Sequence, residues 1–143
     1  MTVKTAAIVQ ARTGSSRLPR KVLADLGGRP LIAFLLERLR RCDVVDAIVL
    51  ATTTQPDDDE LVDLAESLGV KVVRGSEQDV LARFALAAAA TTASTLVRVT
   101  GDCPLVDPDL LAQVIPEFHR QGVDYLRIAN QIIFYSSIVA QNN

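Results

Sequence analysis

The run Ala6-Ala7-Ile8-Val9, followed by Gln10-Ala11-Arg12-Thr13-Gly14-Ser15-Ser16-Arg17-Leu18-Pro19-Arg20-Lys21-Val22-Leu23, decides the fold. The first part is apolar, short and bounded by polar residues, which predicts a buried strand over Thr5–Gln10. The second part leaves that strand as a loop with small residues and the cations Arg12, Arg17, Arg20 and Lys21. Gly14 lets backbone approach backbone, Ser15 and Ser16 offer hydroxyl and N–H donors, and the cations neutralise negative charge. Such a loop suits a polyphosphate. Judged by charge alone it is equally a solvated basic segment, so position and company must decide.

Outward from this loop, short apolar runs alternate with helical patterns. Gly27-Gly28-Arg29-Pro30 ends the loop and opens a helix, with Pro30 suited to its first turn. Leu31, Leu35 and Leu39 share one face of that helix, and Glu37, Arg38, Arg40 and Arg41 cover the other. Ala47–Thr52 is a second strand. The acidic run Asp57-Asp58-Asp59-Glu60 starts a helix and complements its dipole. Leu61, Ala65 and Leu68 line its inner face, and Gly69 stops it. Val70–Val73 is a third strand. Ser76 and Asp79 have capping-box spacing before a helix over Val80–Thr91. Leu96–Thr100 is a fourth strand. Asp107-Pro108 caps a helix whose apolar face is Leu110, Leu111, Val114, Ile115 and Phe118. Val123–Ile128 is a fifth strand. This alternation implies an α/β fold with a mainly parallel sheet covered on both faces. For Ile132-Ile133-Phe134-Tyr135, in the last part of the chain, an edge strand, a short helix and a frayed end all remain open.

The 143 residues suit one domain, and 49% hydrophobic content supplies a core. A net charge of −2 argues against nucleic acid or an anionic membrane as the main partner, because the basic character is local. Cys42 and Cys103 lie far apart and form neither a metal knuckle nor a disulfide framework, so a cytoplasmic protein with free thiols is expected. No signal peptide and no membrane span are expected.

Ligands of open α/β sheets bind beyond the carboxyl ends of the strands. The residues following the predicted strands are Arg12–Lys21, then Thr52 to Gln55, then Arg74-Gly75-Ser76, then Gly101-Asp102-Cys103-Pro104. Asp102, just past a strand and opposite the cationic loop, is placed to ligate Mg²⁺ on a triphosphate. Spacing alone favours a turn aspartate, which Gly-Asp-x-Pro suits well. Asp107 and Ser76 read as helix caps. Cys103 has no base beside it, and His119 is the chain's single histidine, so a histidine-dependent triad is disfavoured. GxGxxG and GxxxxGK[ST] are absent, which disfavours a dinucleotide fold and a P-loop NTPase. The lack of DxD weakens a glycosyltransferase reading.

The Gln10–Leu23 segment resembles the nucleotide-binding signature of the cytidylyltransferases that activate acidic sugars. These include CMP-Kdo and CMP-sialate synthetases, and the nearest group is that of spore coat polysaccharide biosynthesis protein F. Ala51–Asp58, Arg74–Phe84 and Arg98–Pro108 fit the same group. The resemblance implies a Rossmann-like three-layer sandwich of the nucleotide-diphospho-sugar transferase type. It implies CTP, Mg²⁺ and a sugar substrate, and a homodimer is possible in such a family. By analogy Arg12, Arg17 and Lys21 hold the triphosphate together with Gly14, Ser15 and Ser16. Asp102 ligates the metal. Ala11, Arg74, Ser76, Asp79 and Thr100 border base and ribose. Arg12, Lys21 and Asp102 would be the catalytic residues. The motifs end near Tyr125, and family members are longer, so residues 1–127 are expected to form the nucleotide-binding domain and 128–143 a divergent or shortened tail. A noncatalytic nucleotide-binding or interaction module is the alternative.

Overall fold

A computed structural model describes residues 4–14, 16–128 and 132–136. Strand β1 (Thr5–Gln10) is buried at every position, as a central strand covered on both faces must be. It is followed by a single 3-10 turn at Lys21–Leu23 and a two-residue hairpin, β2 (Asp25–Leu26) with β3 (Arg29–Pro30). Helix α1 (Leu31–Arg40) comes next, then β4 (Ala47–Thr53), α2 (Asp59–Ser67), β5 (Lys71–Gly75) and α3 (Val80–Ala89). The chain continues through β6 (Thr95–Thr100), α4 (Pro108–Gln121), β7 (Tyr125–Ile128) and β8 (Ile132–Ser136).

Among the described residues, one sheet runs in the order β5-β4-β1-β6-β8-β7. The pairs β5/β4, β4/β1 and β1/β6 are parallel, so their carboxyl ends share one edge. The pairs β6/β8 and β8/β7 are antiparallel. The mainly parallel α/β sandwich expected from the alternation is therefore present.

The two faces are covered unequally. Helices α1, α2 and α4 bury Ile32, Leu35, Leu36, Leu39, Leu61, Leu111, Ile115 and Phe118 against Ala7, Val9, Leu50, Val97 and Val99 of the sheet. On the other face α3 packs Phe84 and Ala87 over Ala6, Ile8, Val49 and Ala51. No helix among the described residues is long and apolar enough to cross a membrane.

Several local expectations are corrected. Gly27 and Gly28, both at positive φ, turn the β2/β3 hairpin, and Pro30 is the extended residue before α1 rather than part of its first turn. The Leu31 N–H is satisfied by Ala24 O at 2.8 Å, which holds the hairpin under the helix. Strand β5 continues to Gly75 because Arg74 and Gly75 pair with Thr52 and Thr53. Helix α3 stops at Ala89, with Thr92 in the left-handed region just beyond. Its N-cap is Asp79, whose carboxylate accepts from Ala82 N at 2.9 Å, while Ser76 Oγ accepts from Asp79 N. Leu110 lies outside the buried face of α4.

The segment containing Phe134 resolves as β8, inserted between β6 and β7 rather than added at an edge. Phe134 is fully buried, with its ring 6.0 Å from that of Phe118. Residues 129–131 and 137–143 of the expected tail lie outside the described residues. Phe134→Ala should therefore cost about 3–5 kcal/mol of unfolding free energy. Urea denaturation reads this directly, and a loss below about 1 kcal/mol would contradict an interior packed strand.

Candidate functional site

The parallel strands deliver their following loops to one edge, and there the chain encloses a cleft of about 420 Å³. Gln10 to Arg12, Gly14, Ser16 to Leu18, Lys21 and Val22 form one wall, and Thr100, Gly101 and Asp102 the other. Of the predicted site residues, Ala11, Arg12, Gly14, Ser16, Arg17, Lys21, Thr100 and Asp102 are thus brought together. Ser15 lies outside the described residues.

The cationic loop is held at its neck by Thr13, which is buried. Its N–H donates to Asp58 Oδ1 at 2.7 Å, and its hydroxyl lies 2.8 Å from the same oxygen and 3.0 Å from Asp57 O. Its carbonyl accepts from Arg20 N at 2.9 Å, closing the loop on itself. Asp58 also receives the hydroxyl of Thr53 at the end of β4. One carboxylate therefore ties the exits of β1 and β4 together. Burial raises the Asp58 pKa, but hydrogen bonds from Thr53 and Thr13 outweigh it and hold the group below its ordinary 3.8. Sequence reading placed Asp58 in an acidic helix start. Pro56–Asp58 is instead a 3-10 turn, and its last residue points inward at 2% exposure.

The opposite wall approaches just as closely. Gly101 N donates to Gln10 O at 2.8 Å, and a Cβ added at Gly101 would sit 2.5 Å from Ala11 Cβ. This contact sets Asp102 facing the loop, with its carboxylate 3.9 Å from Lys21 Nζ. Arg20 is drawn away to Glu60. Arg12 pairs with Glu77 of the β5–α3 loop at 3.1 Å. Arg17 has no ion-pair partner among the described residues. Among the described residues, the cleft therefore presents cations that are exposed or weakly paired, and a single carboxylate.

Arg74, Ser76 and Asp79 do not line this cleft. Arg74 turns back to Thr53 O at 2.7 Å, Gln55 O at 2.9 Å and Asp59 at 2.8 Å, bracing the β4 exit. Ser76 and Asp79 are engaged at the start of α3, and Ser76 O accepts from Arg83 Nη1 at 3.1 Å. Sequence reading missed Arg83, which is buried behind this loop. Burial, and secondarily Arg12, pulls its guanidinium down from its ordinary range. Its position in α3 carried no polar signal beyond a lone charge in an Ala-rich helix. Burial raises the Cys103 thiol pKa, with Asp102 adding to the effect, which disfavours the thiolate.

No group of three or more His, Cys, Asp or Glu side chains gathers to hold a metal among the described residues. Asp102 alone, completed by phosphate oxygens and water, is a donor set that suits Mg²⁺ and does not require a protein cage.

The sequence model of the cytidylyltransferase family matches residues 6–143, continuing past Tyr125 where the motifs stop. Spore coat polysaccharide biosynthesis protein SpsF of Bacillus subtilis is 42% identical over 127 residues, covering 86% of this chain and 53% of its own length. A 3-deoxy-manno-octulosonate cytidylyltransferase of Chloroherpeton thalassium is 35% identical, with 81% of this chain and 46% of that protein covered. The structure of a cytidylyltransferase from Leptospira borgpetersenii superposes with TM-score 0.89 at 32% identity, over 97% of this chain and 63% of that one. The chain spans about half the length of the curated relatives it matches.

Two substitutions test the architecture of the site. Asp58→Asn should cost roughly 1–3 kcal/mol by weakening the hold on Thr13 and Thr53. A carboxylate whose folded pKa is depressed stabilises above its unfolded pKa and loses that contribution as pH falls through the folded value. The wild type should therefore lose this stability below about pH 4, and Asp58→Asn should show a flatter acid limb in denaturation profiles. Gly101→Ala should cost about 1–3 kcal/mol by forcing the two walls apart, and a melting temperature equal to the wild type would refute the close approach.

Proposed function

This chain belongs to the cytidylyltransferase family, and on that premise we propose that its cleft binds CTP and transfers CMP to a sugar hydroxyl with release of pyrophosphate. The observation that carries the reading is the cleft itself, which sets Arg12, Arg17 and Lys21 opposite Asp102 at the carboxyl edge of a parallel sheet. SpsF is named for polysaccharide biosynthesis and the Chloroherpeton relative for cytidylyl transfer to a ketosugar acid. Both names support a sugar acceptor.

In this mechanism the acceptor oxygen attacks the α-phosphorus in line, the bond to the β-phosphate bridging oxygen breaks, and the hydroxyl proton leaves to solvent. Arg12, Arg17 and Lys21, with the backbone around Gly14 and Ser16, bind the triphosphate and neutralise the charge that grows on the departing pyrophosphate. Asp102 would hold Mg²⁺, which when bound supplies Lewis-acid stabilisation to the phosphate oxygens. Ala11 and Thr100 border the nucleoside. Arg74 acts from behind by bracing the β4 exit, and Ser76 and Asp79 by fixing the start of α3. Positioning and charge neutralisation suffice for phosphoryl-group chemistry of this kind, so no histidine base is required.

One observation favours a second reading. The cleft offers a single carboxylate among the described residues, which suits nucleotide binding without efficient turnover. Calorimetric titration with CTP and Mg²⁺, with ATP and EDTA as controls, tests binding, and pyrophosphate release with added sugars tests turnover. Saturable, metal-dependent binding of CTP over ATP is expected. Lys21→Ala should weaken CTP binding by about 10- to 100-fold, as loss of a charge-assisted contact does. Asp102→Ala should abolish the dependence on Mg²⁺. Failure of the folded protein to bind CTP would remove the enzymatic reading.

A further inference from the structure

Arg12 belongs to two places at once. Its side chain lines the cationic cleft, as Gly14 does, yet its Nη1 donates to Glu77 Oε1 at 3.1 Å. A Cβ built on Gly14 would stand 3.6 Å from that carboxylate oxygen and 3.9 Å from Arg12 Nη1. The Glu77 carboxylate therefore rests against the glycine and the arginine together. Those are two of the groups proposed to hold the triphosphate, so the chain sets an anion of its own where the loop is suited to take one. Glu77 stands outside the lining of the cleft and reaches this corner from the rim.

A pair between exposed side chains is ordinarily worth little, because both must be ordered to make it. Here both are rooted. Thr13, next to Arg12, is buried and held by Asp58, and Ala11 N donates to Ala51 O at 3.2 Å. On the other side Ser76 O accepts from Arg83 Nη1 at 3.1 Å, and Ser76 Oγ accepts from Asp79 N at 3.0 Å while Asp79 caps α3. Glu77 thus projects from a turn pinned just before it and two residues after it. Arg83 is 4% exposed, and its Nε has no hydrogen-bond partner among the described residues. Glu77 is one of the charges that favour its cationic form. A Glu77 carboxylate that gives up Arg12 therefore keeps a second cation nearby.

We propose that Glu77 is a competing anion built into the site, a latch on Arg12 that a polyphosphate must displace. The inference rests on the nucleotide reading above and adds to it a regulator of the same site. A phosphate that takes Arg12 turns Glu77 back toward Arg83. The carboxylate lowers the affinity for nucleotide and pyrophosphate alike, and its return to Arg12 helps the pyrophosphate to depart.

The test is calorimetric titration of the full chain at 0.15 M salt with two probes, inorganic pyrophosphate and CTP with Mg²⁺. An exposed pair shifts an equilibrium by up to about fivefold, and neutralising Glu77 also removes its repulsion of the polyphosphate. Glu77→Gln and Glu77→Ala should therefore each bind both probes about three- to tenfold more tightly than the wild type. Glu60→Gln is the control: it removes the same charge from the Arg20 pair, and Arg20 does not line the cleft. Its effect should stay below about twofold. Affinity unchanged or weakened in both folded Glu77 variants would overturn the latch, and weakening would make Glu77 a support for Arg12 instead. Equal tightening by Glu60→Gln would overturn it too, as an effect of net charge alone. Each of these outcomes leaves the nucleotide reading standing. Failure of the wild type and both Glu77 variants to bind either probe would overturn that reading and the latch with it.

Discussion

The site depends on one buried carboxylate. Asp58 receives the Thr13 N–H and the Thr13 and Thr53 hydroxyls, and so joins the exits of two neighbouring strands. Without it, the loop that follows β1 would be a short cationic segment with repulsive charges and nothing to hold its neck. With it, the loop closes through Thr13 O and Arg20 N. Holding the neck of the loop in folding spares the ligand part of the cost of gathering like charges at the moment of binding.

A second constraint works from the opposite side. Gly101 presses its backbone onto Gln10 and Ala11, leaving no room for a side chain. The wall that carries Asp102 is therefore in register with the wall that carries Lys21 because two backbones touch, not because the charges attract. At 3.9 Å between exposed groups, that attraction is weak. Arg74 and the Arg12–Glu77 pair extend the bracing to β5 and α3. Behind the edge, three helices fill one face of the sheet while a single helix covers part of the other among the described residues.

Much of this was legible from the residues. The period of the apolar runs located the strands and helices because central parallel strands need continuous apolar segments and amphipathic helices need one apolar stripe. The location of Arg12, Arg17, Lys21 and Asp102 at one edge followed from the rule that parallel strands end together. What was not legible has a common cause. Asp57, Asp58 and Asp59 are adjacent and chemically identical, and only the tertiary fold decides which one turns inward. Arg83 looks like a surface charge on an Ala-rich helix until α3 is laid on β5. Arg74, Ser76 and Asp79 sit in a motif that borders the cleft in sequence, yet their hydrogen bonds point to the backbone that supports it. Phe134 gave an apolar signal, but nothing local says that its strand runs antiparallel and inserts between two others.

That insertion has a consequence for how the molecule is made. Among the described residues, strand β7 is joined to the sheet only through β8, which comes after it in the chain. During synthesis the parallel half, from β1 to β6, can assemble in order as it emerges, since domains form from their amino-terminal side. The other half must wait. Until β8 arrives, β6 offers an unsatisfied edge and Val97, Val99 and Phe118 lack their cover. The open edge during that interval is a template for wrong pairing. The last strand described thus closes the exposed edge of β6 in the nascent protein.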